Sequence, residues 1–114
     1  MFESECVVMD NMERLTPTVI KAKDWKIGHC VAKVSEEYAE VLTANKLHIR
    51  AIKGKATGPM GIKDYKDAYH NLIEECVDLM TATRTLLWKL GLSEGDFRKA
   101  VHDVNLKNKA RGYF

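Results

Sequence analysis

Two short runs of the chain concentrate carboxylates at helical spacing, "SEEYAEVL" at Ser35–Leu42 and "IEECVDLM" at Ile73–Met80. The first carries Glu36, Glu37 and Glu40, the second Glu74, Glu75 and Asp78. Residues three apart are neighbours on one helix face, so Glu37 with Glu40 and Glu75 with Asp78 each form a two-carboxylate claw. Four carboxylates brought together raise one another's pKa unless a cation neutralises them. An all-oxygen donor set selects Mg²⁺, Mn²⁺ or Ca²⁺. Carboxylate-bridged iron bundles pair a Glu with a His three residues on, and neither run has that histidine. The chemistry expected is therefore Mg²⁺ binding, with Mn²⁺ as a substitute, and a phosphate-bearing substrate.

Such a site needs two helices to position it, and the sequence supplies them. From about Asp24 to Ile52, the residues Ile27, Val31, Val34, Tyr38, Val41, Ile49 and Ile52 recur at helical spacing. "GKATGPMG" at Gly54–Gly61 is the clear breaker. A second long helix is expected from about Asp64 to Leu90, with Gly91 at its C-terminal stop. If the two fold back as an antiparallel hairpin, Glu37 opposite Asp78 and Glu40 opposite Glu75 share one midpoint, between Thr57 and Gly58. That midpoint lies inside the predicted turn, so the register brings all four carboxylates to one level. Wheel angles leave Glu40 and Asp78 further round than Glu37 and Glu75, so the hairpin alone leaves the site half open.

Shorter helices are expected at both ends. One spans about Glu3–Met12, and Thr16-Pro17 in "RLTPTV" reads as a helix start. Ser93 with Asp96 three residues on reads as a capping box for a last helix that buries Phe97, Val101 and Val104. The fold class is all-α: a helical bundle of two long antiparallel helices plus shorter terminal ones, its four-helix core completed by oligomerisation. The 114 residues suit a single domain, 1–114.

Composition sets further bounds. A net charge of +2 argues against a general nucleic-acid binder. Residues 1–14 are acidic, with Glu3, Glu5, Asp10 and Glu13 against Arg14. Residues 98–111 are basic, with Arg98, Lys99, Lys107, Lys109 and Arg111 against Asp103. Cys6, Cys30 and Cys76 form no CxxC pair, which argues against a zinc cluster and suits buried free thiols in a reducing compartment. No signal-peptide pattern and no membrane-length apolar run is present, so a cytoplasmic protein without a membrane partner is expected. There is no GxxxxGK[ST] loop, so a nucleotide hydrolase here must work with metal and side chains. His29, His48, His70 and His102 pair with no Ser or Cys at a catalytic spacing and read as surface or interface residues.

Together "KVSEEYAEVL" and "NLIEECVDLM" resemble the EExxE…EExxD signature of the MazG-like all-α nucleoside triphosphate pyrophosphohydrolases. That superfamily includes the dimeric dUTPases and phosphoribosyl-ATP pyrophosphohydrolase. The tail "NLKNKARGYF" is similar to the family's closing Lys-Asn…Arg segment. The likeness covers about Lys33–Phe114. The 33 residues between the clusters, 41–73, form a longer connection than compact members have.

The resemblance implies that Glu37, Glu40, Glu75 and Asp78 ligate the metal. It gives Glu36 and Glu74 supporting or water-orienting roles, so the catalytic candidates are Glu36, Glu37 and Glu74. Asn105, Lys107, Asn108 and Arg111 would reach the triphosphate. The reaction implied is hydrolysis of a nucleoside triphosphate to monophosphate and pyrophosphate, by metal-activated water at the α-phosphorus. A homodimer or homotetramer is implied as well. The alternative is a non-catalytic helical interaction module that docks a partner through the acidic centre or the basic tail.

Overall fold

The computed structural model describes residues 17–54 and 59–114, the side chains of 59–64 excepted. These residues form three helices and no strand: α1 (Ile27–Gly54), α2 (Pro59–Lys89) and α3 (Glu94–Ala110). The all-α class expected from the sequence is what the described residues adopt. The expected helix at Glu3–Met12 and residues 55–58 of the turn lie outside the described residues.

Local chemistry explains the boundaries. Pro59 occupies the first helical position of α2, where its missing N–H costs nothing. The helix therefore begins five residues earlier than its periodicity suggested. At the other end Gly91 has φ 83°, a left-handed conformation that glycine adopts without penalty. Leu92 N–H donates to Leu87 O (3.1 Å) and Gly91 N–H to Trp88 O (2.9 Å), which is the Schellman pattern. Ser93 then caps α3, its Oγ accepting from Asp96 N–H at 3.1 Å. Gly112, φ 79°, ends α3 in the same way as Gly91 ends α2.

One expected start is corrected. Pro17 opens no helix, and α1 begins at Ile27. The segment instead crosses to the far end of α2, where Ile20 N–H donates to Thr85 Oγ1 at 3.0 Å. Thr85 is 1% exposed, and its hydroxyl also donates to Thr81 O at 2.7 Å, so its donor and acceptor are both used. A helix through Ile20 would direct this N–H into its own ladder.

Helices α1 and α2 pack along one another as an antiparallel pair, while α3 meets α2 through side chains alone. Arg84 makes that junction, its guanidinium 2.8 Å from Glu94 Oε1 and 4.2 Å from the centre of the Phe97 ring. No residue of α3 is fully buried, and Val101 and Val104 are 43% and 45% exposed. The expectation that this helix buries Phe97, Val101 and Val104 holds in part for half-buried Phe97 alone, because no second element of the described chain lies on its other side. No helix among the described residues is long and apolar enough to cross a membrane.

The apolar stripe read from the sequence coincides only in part with the line along which the hairpin closes, since Val34 and Val41 are half-buried and Val31, Tyr38, Ile49 and Ile52 are exposed. Fully buried positions of α1 are Cys30, Glu37 and Ala44, spaced by seven. Among the described side chains of α2 they are Ala82 and Thr85. These are small or polar side chains, and small residues let two helix axes approach closely.

Candidate functional site: a four-carboxylate cluster between α1 and α2

Position 37 falls on the helix–helix seam because it lies one heptad from Cys30 and one from Ala44. Register then does what the midpoint argument predicted. Carboxylate oxygens of Glu37, Glu75 and Asp78 lie within 4.8 Å of one another, as do those of Glu36, Glu37 and Glu40. Glu40 also lies against Glu75, since both Glu37 and Glu75 perturb its titration. The same register places His48 opposite Tyr65 and Tyr69, with ring centres 5.6 and 6.1 Å away. His48 is thus half-buried between the helices, the interface alternative of the two expected for it.

Burial grades across the cluster. Glu37 is 7% exposed, Glu75 is half-buried, and Glu36, Glu40 and Asp78 are exposed. Glu37 Oε1 accepts from Lys33 Nζ at 3.2 Å, and the same ammonium lies 3.2 Å from Glu36 Oε1. Those two carboxylates, Glu37 first and then Glu36, raise the Lys33 pKa above its ordinary value. Glu37 Oε2 and Glu75 Oε2 are buried, and with every carboxyl of the cluster ionised neither has a hydrogen-bond donor among the described residues. Burying a carboxylate oxygen without a partner is costly, and native structures rarely tolerate it without a proton or cation at hand.

Glu40 supplies a proton in the absence of any ion. Hydrogen bonding with Glu37, then with Glu75, raises its carboxyl from 4.5 to about 7, with repulsion from both adding to the effect. A neutral acid beside two carboxylates is how crowded anions share a site. The cluster is all oxygen, anionic, open on one side, and holds two buried oxygens that find no donor once every carboxyl is ionised. That donor set fits a hard divalent cation.

The remaining candidates separate from this centre. Glu74 is exposed, and among the described residues no hydrogen bond or ion pair joins it to the cluster. Asn105, Lys107, Asn108 and Arg111 lie on the last two turns of α3 and at its cap, all exposed except half-buried Asn108. Nothing in the described residues links them to the carboxylates. Cys30 is the buried free thiol expected, whereas Cys76 is free and exposed, which corrects the expectation that it is buried.

Two features escaped the sequence reading. Lys33 precedes Glu36 and Glu37 by three and four residues, the spacing of helical ion pairs, so its signal was present. A groove of about 490 Å³, lined by Leu47, Arg50, Ala51, Asp67, Ala68 and Asn71, begins about two turns from Glu40 toward the loop. No short motif announces it, because it depends on which side of the hairpin small Ala51 and Ala68 face. Set against protein-family models, characterised proteins and solved structures, the chain matches none of them.

Proposed function

We propose that this chain is a Mg²⁺-dependent nucleoside triphosphate pyrophosphohydrolase that acts as a homo-oligomer. One observation carries the reading: carboxylates from two helices gather around Glu37, where Glu37 Oε2 and Glu75 Oε2 are buried with no donor but a shared carboxyl proton. A purely structural role would place water-facing oxygens there or pair them with donors. The resemblance of the two acidic runs to the MazG-like signature supplies the reaction class.

In this proposal Glu37, Glu40, Glu75 and Asp78 hold Mg²⁺. An ion held there would neutralise phosphate oxygens and lower the pKa of a water for attack at the α-phosphorus. The protein's own residues do the rest. Lys33 offsets part of the charge on Glu36 and Glu37 while no ion is bound. Glu40 gives up its shared proton as the cation arrives. The groove beside Arg50 lies on the same open side and offers room for the rest of a nucleotide. Asn105, Lys107, Asn108 and Arg111 offset charge on the leaving pyrophosphate, which requires α3 to close onto the acidic face.

The test is a panel of the eight common nucleoside triphosphates with Mg²⁺, read as pyrophosphate release. Turnover of at least one, lost on chelation, is expected. No turnover of any, together with no thermal shift on adding Mg²⁺ and nucleotide, would leave the interaction-module reading in its place.

A further inference from the structure

Beside the seam that closes the hairpin runs a second one, shifted by one residue on each helix. On α1, Val31, Tyr38, Leu42, Ile49 and Ile52 recur with Ser35 and Asn45 in the intervening places, alternating three- and four-residue steps. On α2, Tyr69, Ile73, Met80, Leu87 and Leu90 do the same, with Cys76 and Thr83 between them. This is the a/d spacing of helices that pack at shallow angles, and a single Asn in such a seam is a known device for fixing register. None of these fourteen positions is charged, in a chain whose residues are 30% charged.

Both seams lie on the same side of the hairpin. A shift of one residue turns a helix face by about 100°. Because α1 and α2 run in opposite directions, that turn carries both faces to one common side. The carboxylates lie the other way, since Glu40 and Asp78 follow the buried line by three residues and turn about 60° in the opposite sense. The hairpin is therefore two-sided, with acids on one broad face and uncharged, mainly apolar side chains on the other.

We infer that the apolar face is the interface with a second copy of this chain, the two hairpins stacking into a four-helix bundle. The inference rests on the homo-oligomer part of the function proposed above and not on its hydrolytic chemistry. Area supports it: Val31, Tyr38, Leu42, Ile49 and Ile52 are 44–54% exposed, and Tyr69, Ile73, Met80 and Leu90 are 44–57% exposed. At on the order of 90–100 Å² apiece these nine present roughly 800–900 Å², the share one partner contributes to a standard interface. Charge supports it too. A neutral seam meets an identical seam without repulsion, and a two-fold interface is self-complementary. Two seams of equal spacing, side by side, match the layer that another such hairpin would present. The acidic face stays open to substrate in this assembly.

Light scattering during size exclusion of the full chain tests the inference. The chain should run as a dimer or a higher even assembly. Leu42→Glu combined with Met80→Glu should reduce its mass while helical circular dichroism is kept, and Leu47→Glu on the acidic face should not. A wild-type monomer overturns the inference and the homo-oligomer reading together, leaving the hydrolase chemistry to its own nucleotide assay. An oligomer indifferent to the two seam charges overturns the seam alone. If the double variant does not fold, Cys76 decides in a Cys6→Ser background. Maleimide should label it several-fold more slowly at concentrations where the chain is assembled than on dilution, and rates independent of concentration would overturn the interface.

Discussion

The two faces of the α1–α2 hairpin use opposite kinds of side chain for the tasks usually given to them. Along the line where the helices meet, the fully buried residues are Cys30, Glu37, Ala44, Ala82 and Thr85, small or polar side chains including one carboxylate. On the neighbouring face, Val31, Tyr38, Leu42, Ile73 and Met80 are about half exposed. Hydrophobic burial is the dominant favourable term in folding, so a helix pair that buries its small and acidic residues while exposing its large ones has not finished burying. The acidic seam spends stability to bring carboxylates together, and the apolar face is where stability can be regained.

The sharpest way to break that contrast is at Glu37. Glu37→Gln keeps the shape and removes one charge from the cluster. Turnover in the nucleotide assay should fall by more than the roughly 10- to 100-fold typical of a partner that merely supports a metal ligand. Helical circular dichroism should be unchanged. Glu75→Gln should behave alike. Retained activity in both would remove the four-carboxylate assignment.

Glu37→Leu asks the complementary question of stability. Replacing a buried, partly unpaired carboxylate by an apolar side chain of similar volume relieves desolvation and repulsion. The ion-free protein should gain roughly 1–4 kcal/mol in a denaturant titration. A loss of stability would mean that Glu37 is already well compensated by Lys33, and that the seam is ordinary.

The pH dependence of the ion-free fold separates the faces without mutation. Glu40 titrates at 4.5 when unperturbed and at about 7 in the fold. Across that window the folded state binds more protons than the unfolded one, so stability falls as pH rises from 4.5 to about 7. The contribution is fully present below 4.5 and lost above about 7. The thermal midpoint of chelated protein should decline through that range, and Mg²⁺ should restore it most at the alkaline end. Glu40→Gln should flatten the decline, whereas charges placed on the apolar face should leave its slope unchanged.

These contrasts also mark what sequence reading reaches. Helix existence, the Gly91 stop and the Ser93 cap follow from local chemistry, and local chemistry is what a sequence displays. The register of the four carboxylates was legible as well, because an antiparallel hairpin about a short turn has a single free parameter. The helix start at Pro17 was misread because a proline is compatible with both a first turn and an extended segment, and a hydrogen bond to Thr85, sixty-five residues away, decided it. The burial of α3 was misread for a related reason. Periodicity states which face is apolar but not whether anything covers it. Likewise one apolar stripe on α1 was in fact two lines one residue apart, of which the hairpin uses the line richer in small residues.

Lys33 offers the smallest and most discriminating change. Its ammonium sits 3.2 Å from both Glu36 and Glu37 and compensates part of the negative charge that a cation would otherwise meet. Lys33→Gln keeps a hydrogen-bond donor of shorter reach and deletes that charge. Exposed or half-exposed ion pairs are worth about 0.2–1 kcal/mol, so the ion-free fold should weaken by no more than that. Cation binding should respond in the opposite direction. With the competing charge gone, Mg²⁺ affinity measured by calorimetry should rise by up to about fivefold, the same free energy expressed as a binding ratio. If affinity falls instead, Lys33 positions Glu37 for the ion and does not compete with it, and the buried carboxylate owes its geometry to that one contact.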